Sequence, residues 1–121
     1  MYRVEDGCPS SGKKVKGSFK SKDDKACVRC CLNDGATCSK TNKQHSKNCG
    51  NKNNKKTYDD AEAICKASGE RLCKKEELLD NLCCGTGGNA DGNAAWALSP
   101  SGNNIYIART LHRNIYKLRL V

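Results

Sequence analysis

Residues 57–69, TYDDAEAICKASG, predict a helix with one apolar side. Thr57 is a suitable N-cap residue, with Asp60 three residues on as its capping-box partner. The residues that recur at helical spacing, and so form an inward stripe, are Tyr58, Ala61, Ile64 and Cys65. Gly69 is a natural C-terminal stop. A helix is therefore predicted to begin at Thr57 and to end before Gly69.

Further elements are predicted after this helix. Residues 71–73 read as a short extended link, and residues 74–81 as a second helix. The leucines that this second helix offers to the core are Leu78, Leu79 and Leu82. Turn-forming residues dominate 83–93 and predict a loop. Strands are predicted at 94–98, 105–109 and 114–121, with 99–104 as a hairpin connection. Two helices followed by an antiparallel sheet make an α+β layout.

The first half of the chain has a different character. Residues 26–31 are its one plausible strand, and residues 38–54 read as a long polar loop. Residues 1–56 contain 14 Lys+Arg and 5 Asp+Glu, a net charge of +9, whereas residues 57–121 contain 8 of each. The prediction is one domain over residues 1–121. Its first part (1–56) is basic, loop-rich and stapled by disulfides, and its second part (57–121) holds two helices and antiparallel strands.

Composition limits the class of protein. The chain has 121 residues, 36% of them hydrophobic, and a mean hydropathy of −0.78, so its core is expected to be small. This length disfavours a two-domain enzyme with a cleft between the domains. No apolar run of about 18 residues occurs, so no membrane insertion is expected. Any secretion signal is expected to have been removed already.

The cysteine content indicates an oxidising compartment. Ten cysteines form an even set, which suits five disulfides in a secreted protein: Cys8, Cys27, Cys30, Cys31, Cys38, Cys49, Cys65, Cys73, Cys83 and Cys84. Two neighbouring pairs, 30–31 and 83–84, are not expected to close on themselves, because that would need a strained ring. Each member should reach a different partner, which would cross-link the two halves of the chain. Zinc is the weaker alternative, because the second Cys-x-x-Cys and the usual His spacing are missing.

Residues 57–98 resemble the C-type-lectin-like domains and the related link modules that bind hyaluronan, in a Cys-rich extracellular variety. The resemblance rests on the aromatic-x-x-Ala-Glu-x-x-Cys helix from Tyr58 to Cys65, then Gly69 and Leu72, and extends through CCGTG at 83–87 to Trp96. It implies a C-type-lectin-like fold. It also implies that residues 28–31, VRCC, lie near the first helix, with Cys30 or Cys31 bonded to Cys65.

The resemblance does not extend to the residues that bind calcium. Sugar-binding members of that family use Glu-Pro-Asn or Gln-Pro-Asp together with Trp-Asn-Asp, which supply oxygen ligands. Here the corresponding letters are WAL at 96–98 and SPS at 99–101, which carry no carboxylate. The chain is therefore expected to use no metal and no cofactor.

Few residues in the sequence are candidates for catalysis. His45 and His112 lie in polar contexts, and no nucleophile-elbow motif is present. The adjacent carboxylates at 59–60 and 76–77 are better explained as helix caps than as acid/base pairs. The run GTGG at 85–88 is better explained as a turn than as a phosphate cradle. The chain is predicted not to be an enzyme.

Two surfaces are candidate binding sites. The first is the long-loop region, where ligands usually bind in the resembling fold: Asn89, Asp91, Asn93, Trp96, Asn103, Asn104 and Arg109. Turn-forming asparagines around a core tryptophan would explain the same residues. The second is an anion-binding face made by Lys13, Lys14, Lys16, Lys20 and Lys22. A merely solubilising charged surface would explain these lysines equally well.

The predicted function is a secreted, non-enzymatic module that recognises glycans or anionic polysaccharide without calcium. A structural extracellular-matrix, biomineral or adhesive protein acting through its lysine-rich surface is the alternative, and a disulfide-rich toxin or signalling peptide ranks third. Extracellular cysteines disfavour nucleic acid as a partner. Lysine outnumbers arginine in the basic segment, which favours diffuse charge attraction over bidentate recognition.

Overall fold

The computed structural model describes residues 1–11, 15–39, 49–86 and 90–99. Its strands are β1 (Tyr2–Asp6), β2 (Ser18–Lys20), β3 (Cys30–Cys31), β4 (Arg71–Leu72) and β5 (Ala94–Trp96). Its α-helices are α1 (Tyr58–Ala67) and α2 (Lys75–Leu79), and single 3₁₀ turns cover Pro9–Ser11 and Lys52–Asn54. The protein is thus a small, disulfide-rich α+β structure with short antiparallel sheets.

The larger sheet has the strand order β2-β1-β5, with β1 antiparallel to both neighbours. Its central residue, Val4, lies opposite Ser18 on one side and opposite Trp96 on the other. The first half was expected to contain only the strand at 26–31, and this expectation is wrong. The sheet does not simply follow the helices, because two of its three strands precede them.

The smaller sheet pairs β3 with β4, with Cys30 opposite Leu72 and Cys31 opposite Arg71. The strand predicted at 26–31 is therefore shorter than expected, and its first two residues make only isolated bridges to Lys56 and Ala95. The predicted extended link at 71–73 acts as the partner strand. This pairing brings the VRCC segment beside the chain that leaves α1.

Helix α1 forms as its sequence predicts. Thr57 is the N-cap, and its Oγ1 accepts a hydrogen bond from the Asp60 N–H at 3.4 Å. Tyr58, Ala61 and Cys65 are buried, and Ile64 is partly buried against the same core. Gly69 follows with φ of +71°, a left-handed conformation that glycine adopts without steric cost.

Helix α2 is shorter than the predicted 74–81 and buries fewer leucines. Leu78 is fully buried and Leu82 packs partly against the core, but Leu79 is 45% exposed. Residues 78 and 79 are about 100° apart on a helix, so a single-turn helix cannot turn both inward. Asn81, at φ of +60°, adopts the left-handed conformation just beyond the helix end.

The last predicted elements are described only in part. The strand expected at 94–98 forms over Ala94–Trp96. The strands predicted at 105–109 and 114–121, and the connection after Ser99, lie outside the described residues.

An aromatic cluster joins the larger sheet to α1. The rings of Tyr2 and Tyr58 stack with centroids 4.0 Å apart, and Trp96 stands edge-on to both. The Trp96 Nε1–H donates to the Lys56 carbonyl at 2.7 Å. The Tyr58 hydroxyl donates to the Ser99 carbonyl at 3.1 Å and accepts from its N–H at 2.9 Å. Burial, the largest influence on this group, raises the pKa of Tyr58 to about 12.

All ten cysteines form disulfides: Cys8–Cys84, Cys27–Cys49, Cys30–Cys65, Cys31–Cys73 and Cys38–Cys83. Every member of the two vicinal pairs reaches a distant partner, and four of the five bonds join residues 1–56 to residues 57–121. The bond that the family resemblance implied, from Cys30 or Cys31 to Cys65, is made by Cys30. Bridges that close long loops constrain the unfolded chain most.

We predict that disulfide mapping of the oxidised protein will recover Cys30 with Cys65 and Cys31 with Cys73. The measurement is proteolysis without reduction, followed by tandem mass spectrometry that breaks the backbone between residues 30 and 31. A Cys8–Cys65 linkage would contradict the β3–α1 contact. A sample reduced and alkylated before digestion is the control.

Candidate functional site

The predicted loop site is held together by an ion pair. Asp91 accepts from Arg29 Nη2 at 2.5 Å through Oδ1 and from the Gly85 N–H at 3.1 Å through Oδ2. Arg29 is 4% exposed, and its Nη1 donates to Thr86 Oγ1 at 2.6 Å. Burial lowers the pKa of Arg29, and the nearby Asp91 and Asp6 carboxylates oppose this shift. Asp91 is therefore engaged in holding its own loop.

A second carboxylate, Asp6, organises the same region from the end of β1. It is 2% exposed and accepts three backbone hydrogen bonds. Oδ1 accepts from Cys8 at 2.8 Å and Gly92 at 2.9 Å, and Oδ2 accepts from Val15 at 2.8 Å. These donors belong to three separate loops, so Asp6 joins the two halves of the chain. A lone Asp at a strand end gives no sequence signal for this role.

The other predicted members of the loop site are placed as follows. Trp96 is fully buried in the aromatic cluster, so it is a core residue and cannot contact a ligand in this structure. Asn93 is half-buried, and its carbonyl accepts from the Gly7 N–H at 2.9 Å. The remaining predicted members, Asn89, Asn103, Asn104 and Arg109, lie outside the described residues. Of the three predicted members that the structure describes, Asp91 and Trp96 are therefore engaged within the protein itself.

The predicted anion-binding face lies on and around β2. Lys16 and Lys22 are exposed, and Lys20 is half-buried. Lys13 and Lys14 fall outside the described ranges. None of the three placed lysines forms a salt bridge with another described residue. Their positive charge is available to solvent or to a ligand.

The structure adds an aromatic–cation pair on β1 and β2, on the side of the sheet opposite that of Lys20. Phe19, in the middle of β2, is 55% exposed, and the Arg3 guanidinium carbon lies 5.4 Å from its ring centroid. Arg3 Nε donates to Glu5 Oε2 at 2.5 Å, and the Glu5 side chain is 4% exposed. The sequence pattern alone did not point to this pair. The alternation in Tyr2-Arg3-Val4-Glu5 was the signal that could have placed β1.

The two neighbouring carboxylates at 76–77 have different surroundings. Glu77 is buried, and its Oε1 and Oε2 accept from Arg71 Nη1 at 2.7 Å and Nη2 at 2.9 Å. Oε1 also accepts from the Lys74 N–H at 2.6 Å, which caps α2. The Arg71 hydrogen bonds are the largest of several influences that lower the pKa of Glu77. Glu76 is exposed. Glu77 therefore acts as a cap, as its sequence position predicts.

Four buried sulfur atoms form the densest cluster of metal-ligand types in the described ranges. The Sγ atoms of Cys31, Cys38, Cys73 and Cys83 all lie within 4.8 Å of one another. They are paired as two disulfides, 31–73 and 38–83. A disulfide sulfur is not a thiolate, so this cluster offers a metal no ligand set unless both bonds are reduced.

Comparisons with protein-family models, with curated proteins and with solved structures found no match to this chain. The C-type-lectin-like identity therefore stays a prediction. Within the described residues, neither helix has the length and apolar character needed to cross a membrane.

We predict that Asp6→Asn will destabilise the fold by about 1–3 kcal/mol, because the amide nitrogen that replaces one carboxylate oxygen is itself a donor and cannot accept the backbone N–H that it would face. The measurement is the free energy of unfolding in guanidinium chloride, with disulfides intact. Asp23→Asn, the same charge change at an exposed position, is the matched control and should change stability little. Equal effects of the two substitutions would show that charge alone is responsible.

We predict that Glu77→Gln will cost about 1–2 kcal/mol near neutral pH, and that this cost will shrink as the pH falls. The folded-state pKa of Glu77 lies below its unfolded value. The contribution of Glu77 to the free energy of unfolding is therefore fully present above its unfolded-state pKa, about 4.3. It is lost as the pH falls through the lower folded-state pKa. Unfolding curves at several acidic pH values measure this. Glu76→Gln, one residue away and exposed, should show no such convergence.

Proposed function

We propose that this protein is a secreted, non-enzymatic binding module that recognises anionic polysaccharide without calcium, through the lysine-rich face around β2. The observation that carries the proposal is the set of three placed lysines, Lys16, Lys20 and Lys22, which form no salt bridge with other described residues. Exposed ammonium groups attract polyanions over roughly a Debye length, about 8–10 Å at physiological salt.

The extracellular part of the proposal is supported by the disulfides. Five such bonds in 121 residues are typical of extracellular proteins. A sulfated or carboxylated polysaccharide is the polyanion that such a protein meets most naturally. The proposed C-type-lectin-like identity is consistent with the α1 capping pattern and with the Cys30–Cys65 bond.

The lysine-rich face is better supported than the loop around Asp91. The Asp91 carboxylate is already engaged by Arg29 and by the Gly85 N–H, and Trp96 is buried. Two of the groups expected to meet a sugar are therefore occupied by the protein itself. The placed lysines form no comparable ion pairs with other described residues.

We predict that the protein binds heparin with an affinity that falls steeply with salt, and that K16Q/K20Q/K22Q weakens binding about tenfold at low salt. Loss of three attractive charges at about 0.5 kcal/mol each gives this magnitude. The matched control, K66Q/K74Q/K75Q, removes three charges from the second half of the chain and should weaken binding far less. Calorimetric titration at two salt concentrations, with and without a calcium chelator, is the measurement.

Three outcomes would count against the proposal. Absence of binding at low salt would overturn it. Equal weakening by both triple variants would show that total charge, rather than this face, attracts the polymer, and would favour the structural or adhesive alternative. Loss of binding on chelation would contradict the calcium-independent mechanism.

A further inference from the structure

We propose that Arg3 and Phe19 form a subsite for an acidic polysaccharide, in which a pyranose contacts the Phe19 ring on the face that Arg3 does not cover and Arg3 binds a carboxylate of the same polymer. This inference rests on the proposed function, because it names the sugar class that the lysine-rich face would take. It concerns β1 and β2, and not the loop that sequence analysis singled out.

Phe19 is exposed, and no described helix or strand covers its ring. It lies in the middle of β2, which is paired with β1 on one side and with no other described strand. More than half of its surface is open, at 55% exposure, although large apolar groups are usually buried in a protein with so few of them. A flat apolar ring at an open strand suits the C–H face of a pyranose.

Arg3 is fixed in the position that such a ligand needs. It lies directly opposite Phe19 in the β1–β2 register, and its guanidinium carbon is 5.4 Å from the ring centroid. Its Nε is hydrogen-bonded to Glu5 at 2.5 Å. Its two terminal nitrogens form no hydrogen bond with any other described residue, and its side chain is 32% exposed. The two terminal nitrogens can therefore donate to the two oxygens of a carboxylate.

Glu5 orients Arg3 and is itself buried, so it does not contact the ligand. Its side chain is 4% exposed, because the chain at Gly17 passes directly over the carboxylate. A Cβ at Gly17 would lie 2.5 Å from Glu5 Oε2, so a side chain at this position would displace the Glu5 carboxylate. The ion pair offsets part of the Arg3 charge, and the lysines around β2 supply the positive potential that remains. Preorganisation of this kind lowers the entropy lost on binding.

The subsite also fits a polymer rather than a single sugar. Lys16 and Lys22 lie just beyond the two ends of β2, on either side of Phe19 in the sequence. A chain of uronic acids carries one carboxylate on each pyranose. One residue would contact the Phe19 ring, and the carboxylates of its neighbours would meet Arg3, Lys16 and Lys22.

The test compares oligogalacturonate, whose carboxylates are on pyranose rings, with poly-glutamate, which has carboxylates and no rings. Phe19→Ala is expected to weaken binding of oligogalacturonate about tenfold and binding of poly-glutamate less than about twofold. Phe19→Tyr keeps an aromatic ring at this position and should therefore bind oligogalacturonate about as well as the unaltered protein. Arg3→Lys keeps the charge but loses the planar edge, and should again weaken oligogalacturonate more than poly-glutamate. Leu79→Ala, at another exposed apolar residue, is the matched control.

The outcomes separate this subsite from the broader function. If Phe19→Ala leaves both affinities unchanged while K16Q/K20Q/K22Q lowers both, the subsite is overturned and polyanion binding stands. If Phe19→Ala weakens both polymers equally, the ring has no sugar-specific role and the subsite is also overturned. If the unaltered protein binds neither polymer, both proposals fail. Near-ultraviolet circular dichroism of each variant verifies that the aromatic core is retained.

Discussion

The strand β3 is two residues long, and both residues are cysteines, so its geometry determines how the rest of the protein is connected. Successive side chains of a strand point to opposite faces. Cys30 therefore faces the core that contains Leu72 and Trp96 and bonds to Cys65 of α1. Cys31 faces a second core around Leu78 and bonds to Cys73, which lies between β4 and α2. One short strand thus anchors both helices, a task that a larger protein would assign to an extensive hydrophobic core.

A network of buried charges complements the disulfides. Asp6 gathers three backbone N–H groups, and Arg29 joins Thr86 to Asp91 on the neighbouring loop. Both residues are almost completely buried, at 2% and 4% exposure, and a buried charge is tolerated only when its hydrogen bonds are met. The described part of the loop that was a candidate for ligand binding, around Asp91, is therefore held by polar groups that are already hydrogen-bonded within the protein. This is why the surface around β2, which is held from beneath by Glu5, is the better-supported site.

Local signals in the sequence were sufficient for some elements and not for others. Helix α1 carries its cap, its apolar stripe and its terminal glycine within residues 57–69, so it could be predicted without tertiary information. Strand β1 shows the alternation of Tyr2 and Val4 with charged residues, but five residues bounded by Gly7 are easily assigned to a loop. The burial of Trp96 and the Arg3–Phe19 contact could not be predicted, because each depends on which strand lies beside β1. The disulfide partners could not be predicted from spacing either, because spacing excludes some pairings but does not select one complete set.

The central position of β1 has a consequence for the order in which this protein is assembled. Val4 pairs with Trp96, about 90 residues further along the chain, so the middle strand of the sheet emerges from the ribosome long before its partner. Contacts so distant in sequence form slowly, since a long loop must close before they give any stabilisation. During this delay the cysteines of the first half would already meet oxidants, at a time when their partners in the second half are absent. Four of the five disulfides can form only after the cysteines at 65–84 have been synthesised, so oxidative folding is expected to be the step that limits the yield of native protein.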